Sequence, residues 1–335
     1  MKFKKIIRSK IFKTILGLLI IFLVVWFWPA RNNSSINYGA TFSAKYAREL
    51  HLDPKEVFEA MLRDLKIKKI RLVAYWSDIE IVRGERNFAD LDWQIKLAQE
   101  NNVEIILALG RRVPRWPECH IPGWASAIPQ EERDIALKEF IIAVITHYKD
   151  DENIVAWQVE NEAFFTVYAS HFCGNSANKD LIDEEIEIVR QIDPIRPIIM
   201  TDSGNLGLWG SAYKRADIFG STFYVYLMHD GELRTPLTHN FYKLKRAFWG
   251  LIYGQKETML IEISVEPYLT KNMYDVSLGE LVDRLSIDRV KSIIEFAHHT
   301  GFSQQYLWGI EWHYYMKENG YPEYWDYMKE VFGKD

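Results

Sequence analysis

The feature that most constrains this chain is an alternation repeated eight times: a short apolar run, then a segment with helical spacing of its apolar residues. The apolar runs lie at residues 37–42, 69–74, 103–109, 154–162, 197–201, 218–224, 259–263 and 305–308. The run 103–109 is almost wholly aliphatic and the run opening at Ile154 is apolar and β-branched, the pattern of parallel strands covered on both faces;. The intervening segments predict helices over 54–65 (with Asp53 as N-cap), 91–101, 130–148, 179–192, 240–252, 278–300 and 324–332, and a shorter helical piece over 209–215;. Eight strand–helix units close naturally into a ring, and such a domain needs about 250 residues or more. The expected fold is therefore α/β, a (β/α)8 TIM barrel over residues 37–335. Neither a Gly-rich dinucleotide fingerprint nor a phosphate-binding loop interrupts the pattern.

The N-terminus lies outside that scheme. Lys2, Lys4, Lys5, Arg8, Lys10 and Lys13 precede an unbroken apolar run from Ile15 to Trp28. Ile11, Phe12 and Thr14 extend the run toward the roughly 20 residues of a membrane span. The positive cluster predicts a cytoplasmic start, and Trp26 and Trp28 suit the far interface. Trp28-Pro29-Ala30 is a poor cleavage site, so residues 1–30 read as a basic tail and an uncleaved transmembrane signal-anchor. Residues 31–36 read as a linker, and the barrel is expected on the extracytoplasmic side of the cell membrane. There Cys119 and Cys173 are expected to bridge, the alternative being two separate thiols.

Composition narrows the chemistry further. The net charge is −5 with both signs interspersed, which argues against a nucleic-acid partner;. No His, Cys, Asp or Glu spacing suits a catalytic metal, and no cofactor is expected. Two strand ends carry the chemical signal. The run Ile154-Val155-Ala156-Trp157-Gln158-Val159 passes into Glu160-Asn161-Glu162, and Thr258-Met259-Leu260-Ile261 ends in Glu262. Carboxylates at the C-terminal ends of barrel strands sit at the mouth, where barrel chemistry occurs. Two facing glutamates are the minimum equipment for breaking a glycosidic bond, one giving a proton and the other attacking the sugar. Glu162 is the expected acid and Glu262 the expected nucleophile, with Glu160 and Glu266 as near competitors. The plain alternatives are a helix cap with an exposed acid for Asn161 and Glu162, and an arginine-paired structural carboxylate for Glu262.

At these positions the chain resembles the clan A glycoside hydrolases, especially the β-galactosidase-like members. Trp157 to Glu162 is similar to the strand-four motif of that clan, which implies that Glu162 is the acid/base and that Asn161 binds the sugar 2-hydroxyl. The resemblance puts the nucleophile at Glu262, with Arg71 beside it keeping it ionised. Tyr224, with Tyr226 as its competitor, matches the tyrosine bonded to the nucleophile, and Trp308 the aromatic platform under the sugar. The segment Tyr75-Trp76-Ser77-Asp78-Ile79-Glu80 resembles the strand-two region and adds Trp76 to the substrate-binding set. Glu262 is followed by Ile263-Ser264-Val265-Glu266-Pro267, without the glycine common in cellulase-like members. Arg111, Arg112, His120, Trp124, Tyr268, Glu311, Trp312 and His313 are expected in mouth-side loops, lining subsites or packing there. His298 and His299 are expected at a helix C-terminus, complementing its dipole. The resulting expectation is a membrane-anchored retaining glycosidase acting on an extracellular glycan. The alternative is a non-catalytic carbohydrate-binding barrel. Oligomeric state is open.

Overall fold

The computed structural model describes residues 35–165, 173, 178–228, 232–234, 238–269 and 273–333, together with positions 12, 13, 16, 17 and 26. Eight strands run parallel and close on themselves: β1 (Asn37–Thr41), β2 (Lys69–Val73), β3 (Glu104–Leu109), β4 (Ile154–Val159), β5 (Ile198–Asp202), β6 (Ile218–Phe223), β7 (Glu257–Ser264) and β8 (Gln304–Trp308). Each pairs with its sequence neighbour, and β1 pairs with β8 to seal the barrel. The (β/α)8 expectation holds. The predicted signal-anchor and linker, residues 1–36, lie almost wholly outside the described residues. Among those described, no helix is long and apolar enough to cross a membrane.

Two apolar cores follow from the alternation of strand side chains. Inside the barrel, Ile106, Ala156, Ile199, Met259, Ile261 and Tyr306 fill the lumen. Outside it, a much larger cluster joins the opposite strand faces to the helices. Helices Gln130–Tyr148 and Lys179–Ile192 match their sequence-predicted bounds, and Asp53 caps Pro54–Asp64 by accepting from the Lys55 N–H. His298 ends its helix as expected, and the neighbouring His299 bonds to Glu295.

Four expectations need correction. The helix predicted over 278–300 is two helices, Leu278–Arg284 and Ile287–His298. Leu285 leaves helical geometry, and the Ser286 side chain accepts from the Arg289 N–H to start the second helix. Apolar spacing continues across the break and hides it. Glu311, Trp312 and His313 are not in a loop. They lie buried in a further helix, Ile310–Glu318, which begins where Gly309 takes φ 95°. A short hairpin, Tyr226–Met228 with Glu232–Arg234, and a helix at Ala44–Glu49 were not anticipated. Finally, Trp76 does not reach the mouth. The chain turns into a one-turn helix at Trp76–Ile79, so the indole swings outward and is fully buried. It stacks on Phe140, meets Trp124 edge-on, and donates to Glu80 Oε2 at 3.0 Å.

A fully packed indole should behave as core, not as a ligand platform. Trp76→Ala is expected to cost about 3–5 kcal/mol of unfolding free energy in a denaturant titration. Unchanged stability with weakened substrate binding would return Trp76 to the site.

Candidate active site

The mouth is assembled where the apolar strands run out. β4 ends at Val159, and the next three residues turn over the rim, with Glu160 at φ 58° and Glu162 at φ 47°. Left-handed backbone costs a non-glycine residue about 1–3 kcal/mol and persists only where its surroundings fix it. Here three backbone N–H groups are held: Glu160 to Leu109 O, Asn161 to Arg112 O, and Glu162 to Thr201 Oγ1 at 2.8 Å. The turn separates the three polar side chains. Glu160 packs outside the mouth, accepting the backbone N–H groups of Arg111 and Arg112 at 2.9 and 2.7 Å and facing the buried Glu185. Gly110 makes room for it, since a Cβ there would sit 2.6 Å from Glu160 Oε1 at φ 131°;.

Asn161 and Glu162 turn the other way. Asn161 Oδ1 accepts from Gln158 and from Thr201, each at 3.1 Å, while its buried Nδ2 has no acceptor among the described residues. Glu162 Oε1 accepts from Thr222 Oγ1 at 2.7 Å, and Oε2 lies 3.8 Å from Arg112 Nη2. Thr222 is also the backbone register partner of Glu262 on the adjacent strand, so the residue that bonds Glu162 stands beside Glu262 in the barrel wall. Burial first, then the charges of Glu118 and Glu262, push the Glu162 carboxyl well above the usual range;. Arg112 and the Thr222 hydroxyl oppose that rise.

Glu262 is held on both oxygens. Arg71 Nη2 donates to Oε1 at 2.7 Å and Tyr224 OH to Oε2 at 3.0 Å. Arg71, completely buried, also donates to Thr41 Oγ1 at 3.0 Å and Gln158 Oε1 at 3.2 Å. Tyr226, the alternative tyrosine, instead faces Ser292. Glu266 is committed elsewhere: it receives the Trp308 indole N–H at 2.7 Å and forms a two-pronged pair with Arg115. That leaves the Trp308 ring beside Arg71 (5.7 Å) and under Arg115 (4.3 Å).

Of the loop candidates, Arg112 reaches this centre, donating to the Glu162 and Phe165 carbonyls as well. His120 and His313 are buried against backbone carbonyls, and burial pulls both down to about 4. Glu311 accepts the Ser43 N–H, and burial carries it up to about 7. Arg111 faces Asp134, Trp124 packs on Trp76, and Trp312 is core. Tyr268 stands beside Tyr226 and Glu266.

Two residues were missed in the sequence, Thr222 and Glu118. Glu118 Oε2 accepts from Arg112 Nε and Nη2 at 3.0 and 2.9 Å, so Arg112 is shared between Glu118 and Glu162. Burial and the Glu262 charge raise the pKa of Glu118, against Arg112. One signal was available: Glu118 is the sole carboxylate between Gly110 and Pro122, among three arginines. The next residue, Cys119, is disulfide-bonded to Cys173, with Cα atoms 5.4 Å apart, so the β3 loop is tied to the segment after β4. Among the described residues no three His, Cys, Asp or Glu side chains converge as a metal would require.

Comparison with known proteins bears on the same region. The model of glycosyl hydrolase family 10 matches residues 47–202, from the helix after β1 to the end of β5. A curated relative, endo-1,4-beta-xylanase 4 of Arabidopsis thaliana, is 24% identical over 147 residues; the match covers 42% of this chain and about a quarter of the relative's length, 24%. An endo-beta-1,4-xylanase structure from Gloeophyllum trabeum superposes with a TM-score of 0.53 at 19% identity, over 82% of this chain and 85% of that one. A GH5_18 structure from Bifidobacterium longum gives 0.60 at 11% identity, over 82% and 70%. In the stretch that the family model matches, and in its closed parallel barrel, this chain is similar to the TIM-barrel glycoside hydrolases.

Proposed function

We propose that the chain is a retaining glycosidase, tethered by its N-terminal segment to the outer face of a cell membrane and acting there on a β-linked glycan. The observation that carries the reading is the meeting of Glu162 and Glu262 at one rim, on either side of Thr222, with a raised Glu162 and an arginine-bound Glu262. The names of the similar proteins, β-1,4-xylanases among them, support a β-linked substrate. Retention requires the two carboxyl groups about 5–5.5 Å apart across the bound sugar.

In the first step a Glu262 oxygen bonds to the anomeric carbon as the glycosidic C–O bond breaks. Glu162 gives its proton to the departing oxygen. In the second step Glu162, now a carboxylate, takes a proton from water. The water oxygen bonds to the anomeric carbon, and Glu262 leaves as carboxylate. Asn161 Nδ2, the buried donor lacking an acceptor among the described residues, is placed to bind the sugar 2-hydroxyl. Tyr224 and Arg71 hold the nucleophile in line, and Trp308, fixed by Glu266, forms the floor beside it. Glu118 neutralises Arg112, so Arg112 orients the Glu162 backbone without stripping its proton.

Four outcomes test this account. Glu262→Ala should lower kcat on an aryl glycoside by about 10⁴-fold, with partial rescue by azide. Glu162→Ala should spare dinitrophenyl glycosides, whose leaving group needs no proton; full activity of either variant on an unactivated glycoside would refute the roles. Proton NMR of the first product should show the starting anomeric configuration, and inversion would refute the double displacement. Glu118→Gln removes a like charge and frees Arg112, so the acid's pKa falls and the alkaline limb of the pH–rate profile moves to lower pH. At pH 8 the loss should be roughly tenfold on unactivated substrates and slight on dinitrophenyl ones. An unmoved alkaline limb would deny Glu118 that part.

A further inference from the structure

The outer helices of a parallel barrel bury one face on the strands and turn the other to water. Helix Lys179–Ile192 obeys this, presenting Asp183, Glu184, Glu187, Arg190 and Gln191 outward. Helix His239–Tyr253 does not. Phe248, Leu251 and Ile252, spaced to share one face, are exposed, with Leu251 84% accessible;. Beside them runs the loop after β5, pinned to the helix by Lys245 Nζ on Gly207 O at 2.5 Å and by the Trp249 ring against Gly210. That loop adds Leu206 and Leu208, the latter also 84% accessible.

The charge around this face is one-sided. In a chain of net charge −5, residues 238–256 hold no carboxylate and four cations: Lys243, Lys245, Arg246 and Lys256. Lys245, Arg246 and Lys256 donate to main-chain carbonyls, at Gly204 and Gly207, at Gly301, and at Lys214 and Ala216. Such bonds satisfy the donors but leave the positive charge. An exposed Phe/Leu/Ile face edged by Lys and Arg is what a lipid–water interface selects;.

A third observation fixes the location. Trp26, in the apolar N-terminal run, meets the first turn of this helix. Its carbonyl accepts from Thr238 Oγ1 and Asn240 Nδ2 at 3.2 Å each, and its ring meets Phe241 edge-on at 6.0 Å. The segment read as the membrane tether and the exposed face therefore adjoin. We infer that helix His239–Tyr253, with Leu206 and Leu208, lies on the surface of an anionic lipid bilayer and seats the barrel against the membrane. The inference takes from the proposed function only the tether, not the hydrolytic chemistry.

The test places a nitroxide at Leu251→Cys, or at Glu187→Cys as control, in the full chain reconstituted with vesicles containing phosphatidylglycerol; the two native cysteines are paired with each other. Power saturation by oxygen and by a water-soluble nickel complex should give an oxygen-to-nickel accessibility ratio about threefold or more higher at 251 than at 187. Equal ratios overturn the inference. So does dipolar broadening between labels at 251, which would mean that a second copy covers the face. Alkaline carbonate extraction separates the two readings. A chain that resists extraction yet gives equal ratios keeps its tether and loses the docking face. A chain that is extracted, but whose label at 251 keeps the high ratio before extraction, loses the tether and keeps the face.

Discussion

The buried pair between Arg71 and Glu262 is the contact on which the mouth of this barrel depends. Neither side chain reaches solvent appreciably, at 0% and 2% exposure. Removing two charges from water costs several kcal/mol each, and attraction repays that only with good geometry and satisfied remaining donors. Arg71 meets both conditions. One guanidinium reaches Thr41 on β1, Gln158 on β4 and Glu262 on β7, tying its own strand to three others. Gln158 in turn donates to Glu160 O and Asn161 Oδ1, so the turn carrying Glu162 is referred to the same cation that holds Glu262. A pair this expensive is poor economy as a staple; it makes sense as a means of fixing a carboxylate's direction.

Around that fixed point the chain separates two glutamates by environment. Glu262 has a cation and a phenol on its oxygens. Glu162 has a threonine hydroxyl, a shared arginine and two negative neighbours, and burial acts on it most strongly. Opposite surroundings for like groups are how one site carries an acid and a base at one pH. Arg112 could have undone this division, and its bidentate commitment to Glu118 limits its pull on Glu162. The disulfide belongs to the same arrangement, because Cys119 follows Glu118 directly and ties its loop to the segment beyond β4.

How much of this was legible in the sequence depends on whether a feature is local. Strand ends are local: apolar runs stop where the barrel stops, which is why Asn161, Glu162 and Glu262 could be named from the residues, while the resemblance to the clan supplied Arg71 and Tyr224; the structure brings all five together. Helix limits were legible where a cap or proline marks them, as at Asp53, Pro129 and Asn178. The break at Ser286 was not, because the apolar period runs through it. Trp76 failed because its direction depends on a single helical turn after β2, which periodicity does not resolve. Glu118 and Thr222 stayed hidden for a different reason. The first depends on the path of a loop, and the second on a register shift between β6 and β7 that sets Thr222 beside Glu262. Glu311 and His313 look like site residues by type, but sit beneath the mouth as buried partners of backbone groups.

The same reasoning explains why one outer helix departs from its neighbours. A barrel helix is selected on its inner face by packing, and Tyr242 and Trp249 serve that purpose in helix His239–Tyr253, against Phe223 and Gly210. Its outer face is free to match whatever medium it meets. Where that medium is water, as for Lys179–Ile192, carboxylates and amides accumulate. An outer face made of Phe248, Leu251 and Ile252, edged by cations and free of carboxylates, carries a free-energy cost in water that no contact within the barrel offsets;. The proposed seat on a lipid surface would relieve that cost, and Trp26 of the apolar N-terminal run meets the same helix at its first turn.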